Sequence, residues 1–436
     1  MRIHCSFSIL LFCLTLPVFS QGGPQEQQIF PVPRASISIP ENDEARRELE
    51  ELFYVPSAAL LKTEERILRQ KSAGTRVKFQ IQRQGGHLYY LFQNEEGSSY
   101  SVAGVGNYII KRDLENGRFV QIKVFLRHHP GCFVRLFPEG NRTSMDVYLF
   151  GIAVDRGVLL PLDFQNFLTE PFAKVMTLTK ATVQWERLLY RREGGADVLT
   201  AAHISHIQRI LPSLSDRDDG AMDADRKFVY IETGSLQEGL RGLNCSGFAK
   251  WISDGFYFPL AGRYLDIEAL KEKHLEYRGN RWSLRFEEER DPYFGLDWSR
   301  NLAAALWGAQ RYPVESPEDF DVRQVDYLGY REDVGFPVEE LELLLFLEAS
   351  VNPGHFYIGS LNREYGGQPV LRQHFHLVVL FPHFTPSGTF RVAVFDRTEE
   401  SSLEGIPQRF PGAHIHLVRL PLGDSFVPPL PEKLSR

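Results

Sequence analysis

From Arg76 to Phe150 the apolar residues fall in short runs set between turn residues. Val77, Phe79 and Ile81 alternate with polar neighbours. Leu88 to Phe92, Asn107 to Ile110, Phe119 to Leu126, Cys132 to Phe137 and Asp146 to Phe150 follow, with Glu115-Asn116-Gly117 and Pro138-Glu139-Gly140 as intervening turns. Short strands spaced by roughly 8–14 residues predict a small all-β, sandwich-like domain over residues 73–160. Upstream, residues 21–72 read as a Gln-, Pro- and Gly-rich linker leading into a helical segment. That segment is charged from Glu41 to Tyr54, with Leu49, Leu52 and Phe53 apolar, and helix is expected to continue from Leu60 to Arg69. Residues 161–195 read as a connection with strand character from Val175 to Val183.

From residue 196 to 436 the pattern is mixed. Ala196 to Leu211 carries Val198, Leu199, Ala202, Ile207, Ile210 and Leu211 at helical spacing. Helices are also expected at Leu265 to His274, Asp297 to Gln310 and Pro337 to Leu347. Strands then crowd together at His355 to Ser360, His376 to Phe381, Phe390 to Phe395 and His416 to Leu420. Helices first and an antiparallel meander after make this part α+β.

The first twenty residues stand outside this pattern. Arg2 is their only charge, Phe7 to Leu16 is nearly all apolar, and Pro17-Val18-Phe19-Ser20 ends on a small residue before Gln21. This predicts a secretory signal peptide over residues 1–20 and an exported protein, periplasmic or secreted. The apolar run is too short to span about 30 Å of hydrocarbon, and no later run is longer, so no stable membrane span is expected. Composition is that of an ordinary folded chain, 43% hydrophobic and 24% charged. The net charge of −7, with no basic stripe, sets nucleic-acid binding aside. Cys5 and Cys13 leave with the signal, and Cys132 and Cys245 remain. Two cysteines so far apart are no disulfide scaffold.

Candidate chemistry centres on Cys245. Asn244-Cys245-Ser246-Gly247-Phe248 opens a short helix, with Asn244 as cap, Phe248, Trp251 and Ile252 as the buried face, and Gly255 suited to its end. A thiol in the first turn meets the positive end of the helix dipole and unpaired N–H groups, which favour the thiolate. Gly247 leaves room for a substrate backbone or a packed strand. His376 opens the strand Leu377-Val378-Val379-Leu380-Phe381, and the chain turns near Pro386-Ser387 and returns to Asp396. His376 and Asp396 should therefore lie nearly opposite each other, the carboxylate holding the imidazole while its other nitrogen meets the thiol.

These residues resemble a known family. Asn244 to Phe248 is similar to the Asp-Cys-Ser-Gly helix start of NlpC-type cell-wall peptidases, which are compact papain-like cysteine enzymes. Pro353-Gly354-His355-Phe356-Tyr357-Ile358 resembles their first strand, and His376 to Leu380 falls where their catalytic His strand lies. Asp396 stands near the place of their third polar residue, which is Glu in the related CHAP-type amidases, with Glu399 a nearby substitute. Tyr230 matches, at loose spacing, a tyrosine near their active site. The departures are Asn244 for the usual Asp, Asp396 as third residue, and a long insertion from Gly255 to Asn352 that could cover the cleft.

The resemblance implies a papain-like cysteine peptidase domain with a long insertion, preceded by the β domain. It implies amide hydrolysis of a cell-wall peptide, with Cys245 as nucleophile, His376 as base and Asp396 as orienting group. The Cys245 and Ser246 N–H groups would stabilise the oxyanion, and no metal or organic cofactor is expected. A non-catalytic envelope scaffold and an acyltransferase are the competing classes. His203 and His206, His374 with His376, and His414 with His416 and His383 offer zinc ligands, but no recognisable site is completed. His355 is a rival base, and Trp282, Trp298 and Trp307 read as core. Gly104-Val105-Gly106 lacks the third glycine of a dinucleotide fingerprint.

Overall fold

In the computed structural model, the residues described are 39–72, 74–191, 195–274, 291–365 and 371–430. The expected signal peptide, most of the linker before residue 39, and Trp282 lie outside them. Among the described residues no helix is long and apolar enough to cross a membrane.

The chain is mixed α and β, with two large antiparallel sheets. The first is an eight-stranded meander in sequence order: β1 Arg66–Arg69, β2 Arg76–Gln84, β3 His87–Asn94, β4 Tyr108–Asp113, β5 Phe119–Phe125, β6 Phe133–Glu139, β7 Arg142–Leu149 and β8 Ile152–Leu160. Each strand pairs with its successor, giving one continuous sheet. Its apolar cluster is completed by Ala45, Leu49 and Phe53 from the N-terminal helical segment and by Phe164, Phe167 and Phe172 after β8. The segment expected to stay helical to Arg69 ends instead in β1, because Arg66 to Arg69 pair with β2 from Phe79 back to Arg76. The strand expected at Val175 to Val183 is helix, Phe172–Thr179, whose Phe172, Val175 and Thr179 are buried at helical spacing.

A small ribbon, β9 Gly220–Met222 with β10 Phe228–Tyr230, precedes the second large sheet. That sheet holds β11 Phe336–Pro337, β12 His355–Tyr365, β13 Leu371–Phe384, β14 Phe390–Asp396, β15 Glu399–Ser401 and β16 His414–Pro421, in the order β11-β16-β12-β13-β14-β15. The expected meander is thus broken once: β16 pairs with β12 on the side away from β13. Four longer helices serve this half: α1 Gly195–Ile210, α2 Cys245–Ala261, α3 Phe294–Ala309 and α4 Leu341–Val351. Because side chains alternate across a strand, the sheet buries two faces. Phe356, Ile358, Leu377, Val379 and Phe381 join Trp251 and Ile252 of α2 and Trp298 and Leu302 of α3. Tyr357, Val378, Leu380 and Leu417 join α4 and the core of the first sheet, so the two sheets share one apolar cluster.

Gly255 does not end α2. The helix runs on to Ala261 and is closed by Gly262 at φ 68°. Gly255 instead makes room for Phe426: a Cβ there would stand 2.1 Å from the ring. Val427 N–H donates to the Gly255 carbonyl (2.7 Å) and Trp251 Nε1 donates to the Pro429 carbonyl (2.8 Å), strapping the C-terminal segment along the helix. Gly255→Ala is expected to destabilise the protein by about 1–3 kcal/mol through overpacking. Thermal denaturation of the variant beside its Phe426→Ala double mutant checks this: the second change should remove most of the clash penalty.

Candidate active site

The site is assembled where the start of α2 meets the second sheet. Asn244 caps the helix, its Oδ1 accepting from Gly247 N–H at 2.8 Å, while its own N–H donates to Gly220 O at 2.9 Å. A Cβ on Gly247 would fall 2.0 Å from Gly220 O, so this glycine serves the packed ribbon β9–β10. Ser246 is buried, and its carbonyl accepts from Trp298 Nε1 at 3.0 Å, fixing the first turn of α2 to α3. Cys245 is partly exposed and free of any disulfide, as is the buried Cys132. As first-turn residues, Cys245 and Ser246 contribute N–H groups that have no acceptor within the helix.

His376 reaches its partners across a register diagonal. Val379 faces Phe395, which sets Asp396 opposite Val378, two residues beyond His376. His376 Nε2 nonetheless lies 2.6 Å from Asp396 Oδ1. The other carboxylate oxygen accepts from Arg409 Nη1, and the Phe410 ring packs against the imidazole at 5.4 Å between centroids. With Nε2 engaged, Nδ1 is the nitrogen left to meet the thiol.

The charges support one another. Burial works against the Cys245 thiolate, but the His376 hydrogen bond and charge, the Leu377 N–H and the field of Arg397 bring its pKa below the ordinary thiol value. Burial also opposes the charged imidazole, yet Asp396 and Cys245 raise His376 to about 9. Asp396 is held below the usual carboxylate range: burial opposes ionisation, and His376 and Arg409 outweigh it. Both shifts favour the thiolate–imidazolium pair over the neutral thiol and imidazole, the direction a thiol nucleophile requires.

The expected residues fall into two groups. Cys245, His376 and Asp396 are brought together, and Ser246 lies in the same helix turn. Tyr230 takes another role: its hydroxyl accepts from Arg217 Nη2 at 2.7 Å, and among the described contacts none joins it to Cys245 or His376. Glu399 pairs with Asp396 across β14 and β15 and is exposed, so Asp396 is the carboxylate on the imidazole. His355, the rival base, is bound through Nδ1 to Asn352 O (3.0 Å) and lies against Trp307. Burial pushes its pKa down to about 4.

His374 and His376 do not share a destination. The register shifts between Leu361 and Asn362, leaving Phe375 as an extra residue. His374 Nε2 meets His416 Nδ1 at 3.1 Å, and burial keeps both histidines below their ordinary pKa. His203 meets the Gly423 carbonyl (2.9 Å) and His383 the Phe381 carbonyl (3.1 Å). Among the described residues no group of three or more His, Cys, Asp or Glu side chains could hold a metal ion.

Two residues of the site carried no sequence signal. Arg409 reaches Asp396 from the short helix Gly405–Arg409, and Arg397, at φ 55°, sits beside the thiol while its Nη1 donates to Asp216 Oδ2 at 2.5 Å. Both contacts depend on how the chain returns after β14.

Site and fold together define a mixed α/β chain with a Cys–His–Asp constellation between a helix start and an antiparallel sheet. A family model described as a domain of unknown function (DUF8515) matches residues 35–187. That span covers the eight-stranded sheet and the helices that complete its core, and it ends before Cys245. No curated protein and no solved structure matches the chain.

Proposed function

We propose that this protein is a cysteine hydrolase that cleaves a peptide or amide bond, with its second half a papain-like domain. The observation that carries the reading is the Cys245–His376–Asp396 geometry: a helix-start thiol with a lowered pKa, an imidazole 2.6 Å from a carboxylate, and an arginine on that carboxylate. Cys245 Sγ attacks the carbonyl carbon, and the tetrahedral oxyanion meets the Cys245 and Ser246 N–H groups. His376 gives its proton to the leaving amine, and a thioester remains on Cys245. Water, deprotonated by His376, then attacks the thioester, releasing the acid and restoring the thiol. Asp396 holds the ring through both halves. No step calls for a metal or organic cofactor.

For the substrate we propose a peptide of the bacterial cell wall. The support is the similarity of Asn244 to Phe248, Pro353 to Ile358 and His376 to Leu380 to the NlpC-type peptidases. An exported location follows from the pattern of residues 1–20.

Purified protein incubated with soluble wall peptides is expected to release new amino groups and free acids, read by mass spectrometry. Cys245→Ala should abolish both. Cleavage that survives Cys245→Ala would sink the reading. A product joined to an added amine in place of water would identify an acyltransferase.

A further inference from the structure

A recess of about 80 Å³ lies where the first sheet meets the β13–β14 hairpin. A water molecule needs about 10–15 Å³ measured in this way, so the recess holds several waters or a small polyatomic ion. Arg127, His129, Arg191, Glu342 and Arg391 line it, with the hairpin turn Ser387 to Thr389 on one side. None of these residues belongs to the Cys245 site.

Arg127 is the group in need of a partner. It is 7% exposed, its Nη2 donates only to the Leu188 (2.9 Å) and Tyr190 (2.6 Å) carbonyls, and its plane lies over Phe346. Its buried Nε has no hydrogen-bond partner. Burial and nearby Arg191 lower its pKa, to about 10, and no carboxylate is among the charges acting on it. It therefore stays cationic at neutral pH, and a buried charge with no counterion is costly. Arg191 packs on Gly388, and Arg391 shares the recess with Glu342, whose pKa its charge lowers. Three guanidiniums thus border one small recess, and paired N–H donors of this kind fit tetrahedral oxyanions.

We propose that the recess binds a small tetrahedral oxyanion, a sulfate or phosphate group either free or at the end of a larger molecule, through Arg127, Arg191 and Arg391. Two carboxylates face the same space and tune the affinity. Glu342 lies 3.7 Å from His129 Nε2 and near Glu404, while His128 and Arg391 complete the rim. Burial and Glu404 raise Glu342, to about 7, against the pull of Arg391. Below that pH Glu342 is neutral, one repulsive charge is gone, and the anion is held more tightly. His129 faces the same space, and burial keeps it below its ordinary pKa against the pull of Glu404.

Sulfate is the probe, because its charge does not change between pH 6 and 8. Calorimetric titration at constant ionic strength is expected to show saturable one-to-one binding, at least threefold tighter at pH 6. Arg191→Gln with Arg391→Gln should weaken it by about tenfold or more, as loss of charge-assisted hydrogen bonds requires. Glu342→Gln should bring the pH 8 affinity to the pH 6 value. O-phosphoserine binding more tightly than sulfate marks the anion as an end group, and equal affinities mark a free ion. Absence of saturable binding, or binding indifferent to both arginine substitutions, overturns the proposal. A pH difference that survives Glu342→Gln overturns the role of that residue. Far-UV circular dichroism and the alkylation rate of Cys245 show that the variants are folded, and the result stands whether or not Cys245 is catalytic.

Discussion

Iodoacetamide is expected to modify Cys245 in the folded protein with a half-maximal rate below pH 8.5, the midpoint of an unperturbed thiol. Cys132 does not interfere: burial pushes its thiol up to about 12, and it is inaccessible. His376→Ala removes the hydrogen bond and the positive charge that offset the burial of Cys245, so the midpoint should rise to 8.5 or beyond. At pH 7 the reaction should then slow by about tenfold or more, since it follows the thiolate fraction. Amide hydrolysis should fall further, by about 10²–10⁴-fold, because the proton donor and acceptor is lost as well. Asp396→Asn should give a smaller loss of the same kind by lowering the imidazole pKa. The two readouts separate at high pH. Alkylation needs only the thiolate and should reach a plateau, whereas hydrolysis needs the imidazolium and should decline as pH passes about 9. Stability follows the same group. The folded pKa of His376 exceeds its unfolded value of about 6.5, so its contribution is complete below that value and is lost as pH rises through about 9. An ordinary midpoint unchanged by His376→Ala would remove the basis for a thiol nucleophile.

Asp254→Ala is expected to destabilise the protein by about 3–5 kcal/mol. Lys250 and Asp254 lie one turn apart in α2, both fully buried, with Nζ 2.6 Å from Oδ2. The second carboxylate oxygen accepts from Leu265 N–H at 2.7 Å and so ties the segment after the helix back to its middle. Removing the carboxylate leaves a buried ammonium and a buried N–H without their partner, two penalties from one substitution. Urea denaturation should show a lower midpoint with little change in slope. Lys250 and Asp254 lie about 8 and about 14 Å along the helix from Cys245, at 1.5 Å per residue, so the thiol midpoint should hardly move under native conditions. An unfolding free energy within about 1 kcal/mol of the parent would mean that the ammonium finds water or another acceptor.

Much of the site was legible along the chain because its parts are local. Asn244 announces a helix start, so the position of Cys245 at the dipole end follows from four neighbouring residues. His376 and Asp396 belong to one hairpin, and hairpin pairing keeps residues of similar distance from the turn close together, here on a diagonal. Helices at α1, α2, α3 and α4 were visible from apolar spacing, though their ends were not. Gly255 looked like a stop signal and is a packing notch for Phe426, which lies far beyond it in the chain.

What the sequence by itself determined is what depends on a residue and its near neighbours: strand alternation, helix starts, turns, a capped thiol, and a hairpin that carries a histidine and a carboxylate. The tertiary structure alone decided the rest. It made Arg66 to Arg69 a strand by giving it a partner, and it joined eight strands into one continuous sheet. It sent His374 to His416, bound Tyr230 to Arg217, and placed Arg397 and Arg409 at the site. The physical reason is range. Backbone preference and apolar periodicity act over a few residues, whereas burial, counter-charges and strand partners come from segments whose separation along the chain says nothing of their distance in the fold.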